Sequence, residues 1–160
     1  MGYAAPEYIQ TGGFMSKSNV WSYGVFLYEL ITGRHPLDRN RPENEQKLLE
    51  WVKPYVDSKR FSLIIDPRLE GNYSLKSAKS LLFIANKCLS MNPNSRPKMS
   101  EVLEMVNQLI GVQSQAANPA PPLKGLVRVV AIKVKEVLMC ATKCKNTHKD
   151  QEGQLISNPT

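Results

Sequence analysis

The sequence predicts a mainly α-helical module followed by a tail of different character. Three observations carry this expectation. Four stretches between residues 1 and 110 repeat apolar residues at helical spacing, and no stretch there has the alternation of a strong strand. Residues 111–122 then read Gly-Val-Gln-Ser-Gln-Ala-Ala-Asn-Pro-Ala-Pro-Pro, a composition that buries little surface and resists helix. The 160 residues, 42% of them apolar, suffice for one small packed domain and a tail.

The first helix is expected from about Ser18 to Thr32. Val20, Trp21, Tyr23, Val25, Phe26, Leu27, Tyr28, Leu30 and Ile31 surround its axis on nearly all sides, which places it inside a core. Gly33 is a C-terminal stop, and Pro36 prevents continuation. The second runs from about Asn44 to Tyr55, with Leu48, Leu49, Trp51 and Val52 as its apolar side. The third, about Ser77 to Met91, carries Ala78, Leu81, Leu82, Ala85, Cys88 and Leu89 as one stripe. The fourth, about Ser100 to Ile110, repeats the pattern with Leu103, Val106, Leu109 and Ile110. Asp66-Pro67, Gly71-Asn72 and Asn92-Pro93-Asn94 mark turns. No internal repeat is present.

Several classes are excluded. No uninterrupted apolar run approaches the roughly 20 residues of a membrane helix. The N-terminus lacks a basic start and an apolar stretch, so a secretory signal is not expected, and Pro6 breaks the myristoylation pattern. Three cysteines, Cys88, Cys140 and Cys144, are too few for a disulfide framework and favour a reducing compartment. The net charge is +7, and residues 111–160 hold 7 Lys/Arg against 3 Asp/Glu. A soluble surface is the plain reading of that excess. Lys124, Arg128, Lys133, Lys135, Lys143, Lys145 and Lys149 allow weak contact with anionic membrane, and nothing points to a specific nucleic acid.

Four motifs follow one another in order. Gly2-Tyr3-Ala4-Ala5-Pro6-Glu7-Tyr8 contains Ala-Pro-Glu, and Ser16-Lys17-Ser18-Asn19-Val20-Trp21-Ser22-Tyr23-Gly24-Val25 follows some dozen residues later. Leu30-Ile31-Thr32-Gly33-Arg34-His35-Pro36-Leu37 comes next, and then Cys88-Leu89 with Asn92-Pro93-Asn94-Ser95-Arg96-Pro97. In this order and spacing, residues 1–110 resemble the C-terminal half of the large lobe of a eukaryotic protein kinase. The stretch from Tyr8 to Glu50 is most similar to plant receptor-like cytoplasmic kinases, which phosphorylate Ser and Thr. The expected architecture is thus a partial kinase domain (1–110), a Pro/Ala/Gln-rich linker (111–122) and a basic tail of unassigned fold (123–160).

The resemblance implies roles. Glu7 and Arg96 are expected to form a buried ion pair, a guanidinium fork on a carboxylate. Gly2, Tyr3 and Ala4 fall where the family shapes the pocket for the residue after the phosphoacceptor, and at a chain end they are expected to fray. Asn19 stands where the family has the Asp that anchors its catalytic loop from the central helix beside Trp21. It brings an amide without charge and is also a suitable helix N-cap. Trp51 and Tyr55 lie where kinases commonly dock partners. With the catalytic loop missing, an exposed apolar patch is expected near Trp21 and Tyr23.

The family's Gly-rich loop, His-Arg-Asp loop and Asp-Phe-Gly metal site do not occur in the sequence. The resemblance therefore implies an incomplete, N-terminally truncated kinase domain. It has no catalytic, cofactor-binding or metal residues of its own and is inactive alone, whereas the intact family uses ATP and Mg. Implied partners are protein substrates or upstream receptors, in the cytoplasm or at the plasma-membrane periphery. The alternative is a non-catalytic interaction module competing for kinase partners or substrates.

Two tail motifs are weaker. Val130-Ala131-Ile132-Lys133 spells the family's strand-three lysine motif, but it follows the large lobe and no Gly-rich loop precedes it. Leu126 to Met139 fits a strand and an amphipathic helix about equally. Cys140, Cys144 and His148 recur every four residues, yet three ligands without a Cys-x-x-Cys pair read better as thiols and a solvated His than as zinc chemistry.

Overall fold

The computed structural model describes residues 2–13, 15–56, 59–69 and 75–114. Gly71-Asn72, residues 115–122 of the expected linker and the whole basic tail, including Val130–Lys133 and the Cys140/Cys144/His148 series, lie outside them. Five α-helices occur among the described residues: α1 (Pro6–Thr11), α2 (Ser16–Thr32), α3 (Leu48–Val56), α4 (Leu75–Cys88) and α5 (Met99–Ser114). No strand occurs among them. One isolated antiparallel bridge joins Leu37 and Lys47.

Each boundary has a local cause. Pro6 opens α1, where its missing N–H costs nothing, and Gly12 closes it at φ 68° while its N–H donates to the Tyr8 carbonyl at 2.9 Å. The central α2 begins two residues before the expected Ser18. It ends as expected at Gly33, φ 65°, whose N–H donates to Glu29 O. Asn19 is therefore inside the first turn and is not the N-cap, a position held by Met15.

The expected start of the second helix is corrected from Asn44 to Leu48. Residues 43–45 form a 3-10 turn instead, and the chain beyond is held against residues 36–38. Asp38 N–H donates to Gln46 O at 2.9 Å and Leu48 N–H to Pro36 O at 3.1 Å, so these backbone groups are committed outside a helix. The last helix runs past Ile110 to Ser114, so the first four residues assigned to the linker are helical. The third helix ends at Cys88, three residues short of Met91.

The core forms around α2. Val20, Tyr23, Leu27, Tyr28 and Ile31 pack with Leu48 and Val52 of α3, with Phe61, Ile64 and Ile65, and with one face each of α4 and α5. On α4 that face is the expected stripe, with Ile84 added. On α5 Val106 is fully buried as expected and Val102 joins it, while Leu103 and Leu109 are only partly buried. The turn after Ile65 is pinned to α2, because Asp66 N–H donates to Ile31 O at 2.9 Å. The Asp66 carboxylate then accepts from Arg68 N–H and its guanidinium.

One glycine sets the distance between α2 and α4. A Cβ on Gly24 would lie 2.8 Å from Leu89 Cγ, 2.9 Å from Cys88 Cβ and 3.1 Å from the Ala85 carbonyl. Two of these neighbours are rigid, so a methyl group must push the helices apart. Gly24→Ala is expected to lower stability by about 1–3 kcal/mol, the range for overpacking a close-packed core, despite alanine's better helix propensity. Thermal unfolding of the two chains checks this, and an equal or higher melting temperature contradicts it.

Candidate functional site

The site is built outward from Arg96, which is 1% exposed and the largest fully buried side chain among the described residues. It follows a short 3-10 turn, Pro93–Ser95, whose start is fixed by Asn94 N–H donating to the Asn92 side chain at 3.0 Å. From there the guanidinium reaches three other parts of the chain. Nη1 donates to Glu7 Oε1 at 2.6 Å and to the Lys17 carbonyl at 3.0 Å. Nη2 donates to Glu7 Oε2 at 2.9 Å, and Nε to the Ser90 carbonyl at 2.8 Å. The Trp21 ring centroid lies 5.0 Å from the guanidinium carbon, within cation–π range. Lys17 Nζ in turn donates to the Arg96 carbonyl.

Glu7 is as fully engaged. Besides the fork it accepts from Ser18 Oγ at 2.9 Å. Arg96's donation holds its carboxyl well below the usual range, at about 2, with the Ser18 hydroxyl adding to the effect. The ion pair expected from the sequence is thus present, bidentate and fully hydrogen-bonded.

The segment before α1 is ordered by the same region. Ala5 is buried with Trp21 and Val25 in a small second cluster. Ser22 Oγ donates to the Tyr3 carbonyl at 2.8 Å, and the Tyr3 hydroxyl donates to Glu29. Burial and then Glu29 push the Tyr3 phenol up to about 12. Gly2 sits at φ 119°, where a Cβ would be 2.9 Å from Pro36 Cβ. In the structure the Tyr3 backbone and ring meet two side chains of α2, and Gly2 lies close against Pro36.

Trp21 and Tyr23, near which an exposed apolar patch is expected, are themselves buried, although Trp21 lines an open concavity. They are 8% and 3% exposed. Trp21 lies under Arg96 and against Ala5, and Tyr23 is part of the main core. Asn19 is half-buried on the first turn of α2, three residues past its start. Trp51 and Tyr55 pack at a tilt with centroids 5.8 Å apart, and the Arg34 guanidinium lies 3.7 Å over the Trp51 ring while bonded to Glu45. One face of that aromatic pair is thus already covered.

Sequence reasoning missed two features. One is the Glu29 carboxylate, shared between Tyr3 and the exposed His35, whose Nδ1 lies 2.9 Å away. The other is a concavity of about 620 Å³ floored by Trp21, Tyr28, Leu49, Val52 and Leu89. Both join residues distant in sequence, and only helical phase could have hinted at them. Cys88 is buried, and burial pushes its thiol up to about 12, so it is a poor nucleophile. Among the described residues no cluster of His, Cys, Asp or Glu could hold a metal ion, and no helix is long and apolar enough to cross a membrane.

Comparison with known proteins agrees with this geometry. The protein kinase domain matches residues 1–106. Serine/threonine-protein kinase PCRK1 of Arabidopsis thaliana is 63% identical over 132 residues, covering 82% of this chain and 31% of that protein. Serine/threonine-protein kinase PCRK2 of the same plant is 66% identical over 115 residues, 71% of this chain and 27% of that protein. A receptor-like cytoplasmic serine/threonine-protein kinase of Nicotiana benthamiana, named for interacting with EPD1, is 50% identical over 115 residues, 69% of this chain and 25% of its own length. The chain spans under a third of the length of these relatives.

Removing one partner of a buried pair strands the other charge. Arg96→Ala is expected to cost about 3–5 kcal/mol, whereas the exposed Arg39→Ala should stay within about 0.5 kcal/mol. Arg34 is unsuitable as the surface control, because its side chain is only 11% exposed and pairs with Glu45. Denaturant unfolding of the two variants decides this, and equal midpoints contradict it.

The Glu7 carboxyl makes the same pair pH-dependent. Its folded value of about 2 lies below the ordinary 4.5, so its stabilisation is complete above about pH 4.5 and is lost as pH falls toward 2. Glu7→Gln should therefore be less stable than the parent at neutral pH, with a gap that narrows steadily below pH 4.5. Melting temperatures measured from pH 7 to 2.5 test this, and a gap that stays constant throughout contradicts it.

Proposed function

The chain belongs to the protein kinase family, and on that premise we propose that it supplies the substrate-side half of the large lobe of a Ser/Thr kinase of the plant receptor-like cytoplasmic type. The observation that carries this reading is the Glu7–Arg96 fork, which locks the Ala-Pro-Glu segment onto α2 and onto the turn after α4. Phosphoryl transfer depends mainly on positioning and electrostatic stabilisation, so a rigid substrate-side scaffold is a real contribution to it. In this reading Gly2, Tyr3 and Ala4 present the protein substrate next to the phosphoacceptor. Ser22 and Glu29 are the positioning residues that hold their backbone and ring.

The scaffold does no chemistry by itself. A base for the substrate hydroxyl, an Asp and an Asn for magnesium, and a Gly-rich loop with its lysine for ATP are supplied elsewhere in the family, and none of these motifs occurs in the sequence. The isolated chain is therefore inactive in phosphoryl transfer. Protein substrates or upstream receptors are the partners this reading implies, in the cytoplasm or at the plasma-membrane periphery, where the basic tail allows weak anionic contact. A second reading, a non-catalytic module competing for kinase partners or substrates, is supported by the apolar concavity lined by Trp21, Leu49, Val52 and Leu89.

The test is a graft. Residues 2–109, substituted for the matching segment of a full-length relative, are expected to give an enzyme that phosphorylates Ser and Thr with kcat/KM within roughly tenfold of the parent. Glu29→Ala in that enzyme should raise KM for the protein substrate and leave KM for ATP unchanged. The purified 160-residue chain should transfer no phosphate. A folded but inactive graft would overturn the scaffold reading, and transfer by the isolated chain would overturn its inactivity.

A further inference from the structure

Helix α4 turns one sector outward. Around its axis Leu75, Lys76, Lys79, Phe83, Asn86 and Lys87 fall within about 120° of one another, and all six are exposed. The opposite side is the buried stripe. The 14 residues of α4 include three lysines and no Asp or Glu. Among the described residues none of these lysines joins an ion pair. The Lys87 ammonium lies 4.8 Å from the Phe83 ring centroid. Phe83 is 58% exposed and Leu75 46%, so two apolar side chains stand out among the charges. Lys76 also sits in the first turn, where the helix dipole favours carboxylates. A local preference broken with no ion pair in return points to a use outside the helix.

Charge and shape indicate the occupant. A row of ammonium groups without carboxylates calls for an anionic surface, and the chain's own net charge of +7 opposes a second copy. The face runs about 18 Å along the helix axis from Leu75 to Lys87. Beside it lies a groove of about 350 Å³, shared with Met105 and Leu109 of α5. Of the three lysines only Lys76 lines that groove, and Leu75 does not. A peptide seated in the groove would therefore leave most of the face unused. A plane laid along α4 reaches all three lysines and both apolar side chains. A bilayer interface suits both kinds: ammonium groups rest at the headgroups, while an aromatic ring enters between them. The α5 carboxylates of Glu101 and Glu104 do not line the groove, and Glu101 accepts from the Lys98 N–H.

We propose that the outer face of α4 docks on anionic lipid, with Lys76, Lys79 and Lys87 at the headgroups and Phe83 and Leu75 in the interface. Docking in this way orients the lobe. Gly24 faces α4, and Ser22 and Glu29 lie about 160° and 140° around α2 from it. The Tyr3 segment that they hold is thus on the far side of α2, turned away from the lipid.

Vesicle co-sedimentation of the full chain at about 0.1 M salt tests this. Phosphatidylcholine vesicles with about 30% phosphatidylserine should bind the chain, and vesicles of phosphatidylcholine alone should not. Lys76→Ala/Lys79→Ala/Lys87→Ala should weaken partitioning about a hundredfold, at about fivefold per lysine. Phe83→Ala should weaken it about tenfold with the charge unchanged. In Phe83→Trp, bromine-labelled lipid should quench the added emission above the baseline of Trp21 and Trp51. Should the triple variant melt below the parent, Phe83→Trp decides alone. A folded triple variant that partitions like the parent overturns the proposal and assigns the contact to the basic tail, which every variant retains. Equal binding to both kinds of vesicle, or an unquenched Phe83→Trp on bound vesicles, also overturns it. Binding of soluble poly-glutamate with the same lysine dependence, in a chain that binds no vesicle, overturns it in favour of an acidic protein.

Discussion

One guanidinium sets the geometry of this lobe. Arg96 joins a carboxylate 89 positions earlier in the chain, a carbonyl at the start of the central helix and a carbonyl just after α4. The fork thereby ties the Glu7 segment directly to the start of α2 and to the turn after α4. Removing two charges from water consumes much of what their attraction returns, so the pair does more for arrangement than for net stability. Its value lies in having few alternatives: a planar fork, two carboxylate oxygens and two carbonyls fit in one way. With the fork in place, Ala5 drops beside Trp21 and the preceding Tyr3 is carried to Ser22 and Glu29.

The second constraint is the absence of a side chain at Gly24. It lets α2 lie so near α4 that the Ala85 backbone and the Cys88 side chain become its wall. The fork fixes where the ends of the elements go, and this contact fixes how closely their middles approach. Together they explain how a lobe with one isolated bridge and no strand among its described residues holds a loop segment in a defined path.

What could be read from the sequence was what local chemistry determines. The all-round apolar α2 had to be central, Gly33 had to end it, and the spacing on α4 named its buried face almost completely. Where reading failed, a tertiary contact outranked a local preference. Residues 44–47 have helical composition, yet residues 43–45 form a 3-10 turn and the Gln46 carbonyl accepts from Asp38 N–H instead. Asn19 has the right chemistry for a cap, but Ser16 to Ser18 continue the helix ahead of it because Lys17 and Ser18 are used by Arg96 and Glu7. Val102 is more deeply buried than Leu103, a difference that only the packing of α5 on α4 decides. The fork itself was legible through family resemblance. The shared Glu29 carboxylate was not, because nothing in a local pattern links Tyr3 to His35.

The loop between α2 and α3 divides into a neck and a tip. The Leu37–Lys47 bridge and the Arg34–Glu45 pair close the neck, while residues 39–44 stand exposed beyond it. A closed neck isolates what lies past it mechanically. Extra residues spliced in at the tip lengthen the loop at small entropic cost without turning α3. This tip is therefore a natural mounting point for an epitope or a fluorophore, and a place where related chains can differ in length while keeping the same lobe.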